Sequence, residues 1–207
     1  MGDEDVIPST SFDSYDDLET YWNYLYPWGS DHNGSARMVG NSTDHDHIAV
    51  SDGVLTLTAT PTSGQGTSSA SPFLTIDYFS GTIYAKEQVL VDGTDAVGYT
   101  VSGEFIAPTA VGTWPAFWLT AVVGWPPESD IGEWKGTDNV WFNTFNTSSE
   151  VHSTTPTWPD DGDFHSVSAT LRVIEGNTED LSIEYSLDGV VQATDIAAGF
   201  YNAAMYL

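Results

Sequence analysis

Apolar and polar residues alternate along much of the chain, in short runs closed by Gly, Asp, Asn or Pro. HIAVSDGVLTLTA (47–59) reads as a hairpin that turns at Ser-Asp-Gly, and LSIEYSLDGVVQAT (181–194) as a second one turning at Asp188-Gly189. FHSVSATLRV (164–173) and YTVSGEFIA (99–107) keep a period of two, and GTIYAKEQVLV (81–91) does so in part. Only SYDDLETYWNYL (14–25) has helical spacing, with Asp16 and Asp17 in its first turn. The Ser/Thr/Gly-rich stretch 60–76 reads as a long, solvent-exposed surface loop. Many short strands separated by turn signals predict an all-β sandwich. With neither repeats nor a long linker, a single domain over 1–207 is expected.

Composition narrows the possible functions. Eight Trp, ten Tyr and nine Phe in 207 residues supply a sizeable core and exclude a disordered chain. No apolar run is long enough to span a membrane, and MGDEDVIPSTSF at the N-terminus has neither the basic nor the apolar region of a signal peptide. The absence of Cys excludes disulfides and thiolate chemistry. Only Arg37, Lys86, Lys135 and Arg172 oppose thirty acids, for a net charge of −26. Such a surface repels nucleic acid and other polyanions, so a neutral partner is expected. Sequons at Asn33, Asn41 and Asn146 point toward a secreted, extracellular protein.

The chemistry concentrates in WPPESDIGEWKG (125–136), where Glu128, Asp130 and Glu133 crowd one segment. Alternation puts Glu128 and Asp130 on one face of a strand. Glu133 joins them if a β-bulge adds one residue, and Gly132 suits a bulge. Ile131 and Trp134 then point into the core. Two carboxyl groups about 5–5.5 Å apart are what a retaining glycosidase needs, one as nucleophile and one as proton donor. The Asp between them is read as sharing a proton with the nucleophile, so that the row does not carry three full charges.

ESDIGE resembles the E-x-D-x-x-E active-site strand of glycoside hydrolase family 16, the laminarinase, agarase and carrageenase group within the concanavalin A-like superfamily. GTWPAFWLT (112–120) is similar to that family's W-P-A-x-W strand, and YFSGTIYAKEQV (78–89) with YTVSGEFIAP (99–108) to an earlier strand pair. GDFHSVSATLRV (162–173) and IEYSLDGVVQAT (183–194) resemble later strands, so the match runs in order from about residue 50 onward. The resemblance implies a jelly-roll β-sandwich of two curved antiparallel sheets. It also implies Glu128 as nucleophile, Glu133 as general acid/base and Asp130 as the assisting carboxylate. Trp114 and Trp118 match cleft aromatics that stack on sugars, with Trp125 a weaker candidate and His152 a further one at the cleft border.

Two departures stand out. Ser129 takes the place of an aliphatic residue, with some loss of packing expected. The chain also stops at AAMYL (203–207), so about the last two strands of the sandwich are expected to be missing, leaving an unpaired edge.

The remaining motifs are read as structural. DHDH (44–47) lacks a third ligand at zinc spacing and reads as a solvated turn. Arg37 in DHNGSARM (31–38) is expected to hold a loop by a salt bridge, and His165 to be structural. No cofactor is expected to be required; the family's structural calcium is not readable from these residues. The resulting expectation is a monomeric, retaining endo-β-glucanase acting on neutral β-1,3- or mixed β-1,3/1,4-glucan. The alternative is a non-catalytic sugar-binding protein on the same fold.

Overall fold

Both expected hairpins form, and their turns show why. Asp52 and Gly53 sit at φ 54° and 77°, and Asp188 and Gly189 at 49° and 73°. Two successive residues at positive φ give the primed turn whose twist matches paired strands, and Asp-Gly adopts it at low steric cost. The computed structural model describes residues 4–207, so Met1, Gly2 and Asp3 at the start of the N-terminal segment lie outside the described residues. The chain separates into two compact units, dividing between Glu87 and Gln88.

The first unit holds α1 (Tyr15–Tyr21) followed by β1 (Trp22–Tyr24), β2 (Ala36–Met38), β3 (Ile48–Ser51), β4 (Val54–Leu57), β5 (Thr60–Pro61), β6 (Tyr78–Ser80) and β7 (Ile83–Ala85). Ser14 caps α1 by accepting the Asp17 N–H at 3.1 Å, and Asp16 and Asp17 occupy the first turn. The helix is shorter than its spacing predicts. At Trp22 the backbone becomes extended, and Trp22, Asn23 and Tyr24 pair with Ala85, Tyr84 and Ile83. Ladder pairing outweighs the propensity of one more helical turn. The stretch 60–76 is also better anchored than a solvent-exposed loop. Ser68 and Ile76 are buried, and Asp31 accepts the Ser69 N–H at 2.8 Å and its hydroxyl at 3.0 Å. Arg37 donates to both Asp31 oxygens, at 2.8 and 2.9 Å, as the expected salt bridge. Chiefly through that guanidinium, Asp31 is held well below the usual carboxylate range.

The second unit holds β8 (Gly98–Phe105), β9 (Ala116–Ala121), β10 (Glu128–Glu133), β11 (Trp141–Thr147), β12 (Glu150–Thr154), β13 (His165–Val173), β14 (Leu181–Leu187), β15 (Val190–Ala197) and β16 (Met205–Tyr206). One antiparallel sheet runs β12-β11-β10-β9-β16 and the other β15-β14-β13-β8, as in the predicted jelly-roll sandwich. Alternation decides which side chains lie between them. Val167, Ala169 and Leu171 of β13 stand opposite Leu187, Tyr185 and Ile183 of β14, and all six are buried. They pack with Leu119, Ile131, Trp134 and Phe142 from the other sheet. Met205 and Tyr206 pair with Ala121 and Thr120, and Met205 also bridges to Val89, so this edge is covered over those residues.

Ser129 faces this core, fully buried, yet it is not a packing defect. Its hydroxyl lies 2.7 Å from the Tyr185 hydroxyl, which is 2.9 Å from Thr144 Oγ1 and donates to the Asn143 carbonyl at 2.8 Å. Thr144 in turn donates to Asp195 at 3.0 Å. A buried hydroxyl network replaces aliphatic contact and ties β10 and β11 to β14 and β15. Replacing Tyr185 with Phe orphans several of these groups. The unfolding free energy in urea is expected to fall by about 1–3 kcal/mol with the sheet content preserved.

Candidate active site

The bulge settles which way the carboxylates face. Against β9, Glu128, Asp130 and Glu133 stand opposite Thr120, Trp118 and Ala116. Against β11 they stand opposite Phe145, Asn143 and Trp141. On both neighbours the partners are two residues apart, so the three acids share one face, and the extra residue is absorbed between Asp130 and Glu133. Ile131 and Trp134 go to the core, as alternation predicts. Gly132 is needed there for space rather than for an unusual φ: a Cβ would lie 2.8 Å from the Trp134 ring.

Each acid has a different environment. Asp130 and Glu133 are buried side chains, and Glu128 is half-buried. The Asn143 carboxamide donates to Asp130 Oδ2 and Glu133 Oε2, both at 2.7 Å. Its own oxygen accepts the Ser153 hydroxyl at 2.7 Å, which fixes the orientation of the amide. Glu133 also accepts Trp114 Nε1 at 2.7 Å on Oε1 and Lys135 Nζ at 2.7 Å on Oε2. Glu128 accepts Trp125 Nε1 at 2.9 Å on Oε2.

Burial pushes Glu128 above its ordinary value, the Trp125 N–H opposes that shift, and the Glu133 charge adds to it. Asp130 is pushed up to about 9, first by burial, then by the charge of Glu133 and a hydrogen bond to it. Burial and the neighbouring Glu133 charge thus both favour the protonated form of Asp130, whose side chain is hydrogen-bonded to Glu133. The sequence alone pairs that proton with Glu128, the nucleophile candidate; the carboxyl group hydrogen-bonded to Asp130 is that of Glu133.

The aromatic candidates divide. Trp118 lies in register with Asp130 on the carboxylate face. Trp114 and Trp125, about half exposed at 50% and 49%, hydrogen-bond the outer two acids directly. Trp125 is thus more closely engaged than the sequence indicates. One face of Trp114 carries the Lys135 ammonium, 5.3 Å from the ring centroid, which also lies 5.4 Å from the Trp141 centroid.

His152 is not on this face. It stands opposite Thr144, a core-facing residue, and its Nδ1 lies 3.8 Å from Asp195 of the other sheet. The expectation that it borders the cleft is therefore wrong by one step of strand alternation.

Asn143, Lys135 and Ser153 were not legible as site residues. Asn143 lies in WFNTFNT with no motif to mark it, and cross-strand register alone brings it to the row. Lys135 had a signal: it is one of four cations in the chain and lies two residues beyond Glu133.

Among the described residues no group of three or more His, Asp or Glu is placed to hold a metal ion. His45 of the DHDH stretch stacks on Tyr15 at 3.7 Å and hydrogen-bonds Tyr24 at 3.0 Å, so it is packed rather than solvated. His165 bonds Asp188 at 2.8 Å and Asp161 at 3.0 Å.

The Asp130 proton gives stability a pH signature. Its folded pKa is raised, so folding takes up a proton between about pH 4 and 9. That contribution is complete below the unfolded value and is lost as pH rises through the folded one. Urea unfolding of the wild type and Asp130→Asn at pH 5, 7 and 9 should show the wild type losing its advantage as pH rises. The limiting slope is about 1.4 kcal/mol per pH unit; parallel curves would refute a buried, protonated Asp130.

No family model matches the chain. A galactan endo-beta-1,3-galactanase from Flammulina velutipes is 54% identical over 204 residues, spanning 98% of this chain and 78% of that protein. An endo-1,3-1,4-beta-glycanase from Rhizobium meliloti (strain 1021) is 28% identical over 156 residues, 66% of this chain and 31% of that protein. Among solved structures, porphyranase B from Zobellia galactanivorans superposes with a TM-score of 0.60 at 17% identity, over 91% of this chain and 72% of that one. A lichenase from a mouse hindgut metagenome does so with a TM-score of 0.60 at 16% identity, over 90% of this chain and 78% of that one. These structures share the fold. Sequence kinship over nearly its whole length makes the chain a member of glycoside hydrolase family 16.

Proposed function

We propose that this glycoside hydrolase cuts the backbone of a neutral β-1,3-linked galactan internally, with retention of configuration. The observation that carries the reading is the register that turns Glu128, Asp130 and Glu133 to one face of the sheet. Glu128 attacks the anomeric carbon while Glu133 gives its proton to the departing glycosidic oxygen, and the C–O bond breaks. Water then attacks the glycosyl-enzyme, Glu133 takes the water's proton, and Glu128 leaves as a carboxylate. Asp130, neutral and bonded to Glu133, is the proton store for that residue. Trp118 is proposed to meet a sugar ring by its face, and Trp125 to orient Glu128.

The sequence alone favoured glucan. The relative named for β-1,3-galactan, 54% identical, moves the proposal to galactose while keeping the β-1,3 linkage. A charged backbone fits poorly. Of the four cations, Lys135 is engaged by Glu133 and Arg37 by Asp31, against a net charge of −26. A purely sugar-binding role gives no reason to bury two carboxyl groups side by side, set a third next to them and supply donors for all three.

Purified protein incubated with β-1,3-galactan, laminarin, lichenan and agarose is expected to release reducing ends fastest from β-1,3-galactan, as internal fragments. Glu128→Gln is expected to lose more than about 1,000-fold in kcat with its fold intact. Activity confined to agarose would overturn the substrate, and activity retained by Glu128→Gln would overturn the nucleophile.

A further inference from the structure

Lys135 occupies a position that the proposed mechanism does not use. In the resting site Glu133 accepts, besides the hydrogen bond it shares with Asp130, from three nitrogen donors, Trp114 Nε1, Asn143 Nδ2 and Lys135 Nζ, each at 2.7 Å. Three donors, one of them a full cation, satisfy a carboxylate and not a carboxylic acid. Burial beside the Glu133 charge favours the proton on Asp130 instead. This is the arrangement wanted after the leaving group has been protonated, when Glu133 must be a base. It is the wrong one for the first step, when Glu133 must be an acid.

Of the three donors only Lys135 is built to move. The Asn143 amide is pinned by Ser153, and Trp114 is a ring on a short stem. Lys135 is a flexible point charge with 36% of its side chain exposed, resting over the Trp114 and Trp141 rings. A sugar ring seated against Trp114 competes for the same aromatic surface. The charged groups facing Glu133 from its own strand region are Glu128, Asp130 and Lys135; β9 and β11 present no charged side chain. Lys135 is thus the cation set against two neighbouring acids.

We infer that Lys135 is a positioning residue that holds Glu133 as a carboxylate in the free enzyme and gives up Oε2 when substrate covers Trp114, releasing Glu133 to take the proton from Asp130. The inference rests on Glu133 being the proton donor. It predicts that Lys135 acts on the free enzyme and not on the enzyme–substrate complex.

The test is the pH dependence of kcat/KM and of kcat, measured separately on the best-cleaved polysaccharide for wild type, Lys135→Met and Lys135→Arg. The alkaline limb of kcat/KM reports the Asp130–Glu133 pair in the free enzyme, and that of kcat the same pair with substrate bound. Removing the cation should move the kcat/KM limb up by about one pH unit and leave the kcat limb in place. Lys135→Arg should restore the wild-type profile. An unmoved kcat/KM limb, equal movement of both limbs, a Lys135→Arg profile like that of Lys135→Met, or complete inactivity of a folded Lys135→Met would each overturn the inference. Activity in Glu128→Gln, by contrast, would bring down the nucleophile assignment without touching Lys135.

Discussion

Asn143 gives one carboxamide hydrogen to Asp130 and the other to Glu133, and the rest of the site is arranged around that double donation. Two carboxyl groups buried side by side on one face of a strand lose hydration and would repel each other if both were ionised. A neutral amide with two hydrogens satisfies both at once and adds no charge. It works only if the amide cannot flip, because the flipped form would aim an oxygen at two carboxyl groups. The Ser153 hydroxyl on the amide oxygen removes that freedom.

The opposite face of the same two strands carries the complementary constraint. Tyr185 reaches from the other sheet to Ser129, Thr144 and the Asn143 carbonyl. These are the residues beside Asp130 and Asn143 in the chain, so the core fixes the backbone from which the site side chains project. Strand alternation makes this possible: each functional residue has an inward-facing neighbour that can be locked. Rigid placement matters for any site that must hold several side chains in one geometry, and here it comes from a hydroxyl cluster in a position that reads as a loss of packing.

Electrostatics then separates three chemically similar acids. Burial and the Glu133 charge push Asp130 toward its protonated form, Glu133 is surrounded by donors, and Glu128 keeps partial exposure with one indole N–H. Different surroundings give different protonation states, which is what allows carboxylates a few residues apart to take different parts in one reaction. The large negative charge of the whole chain makes the few cations consequential, and one of the four is at this site.

Period-two alternation, the Asp-Gly turns and the ESDIGE spacing determined the all-β class, both hairpins, the bulge and the shared face of Glu128, Asp130 and Glu133. These are local properties: side-chain direction follows from strand geometry, and turn type from which residues tolerate positive φ. The length of the helix, the anchoring of 60–76 on Asp31, the side of the sheet that His152 faces and the roles of Asn143, Lys135 and Tyr185 were decided only by tertiary structure. Each depends on which residues of distant strands stand opposite one another. A shift of one residue in register reverses every face, and no local pattern encodes that choice.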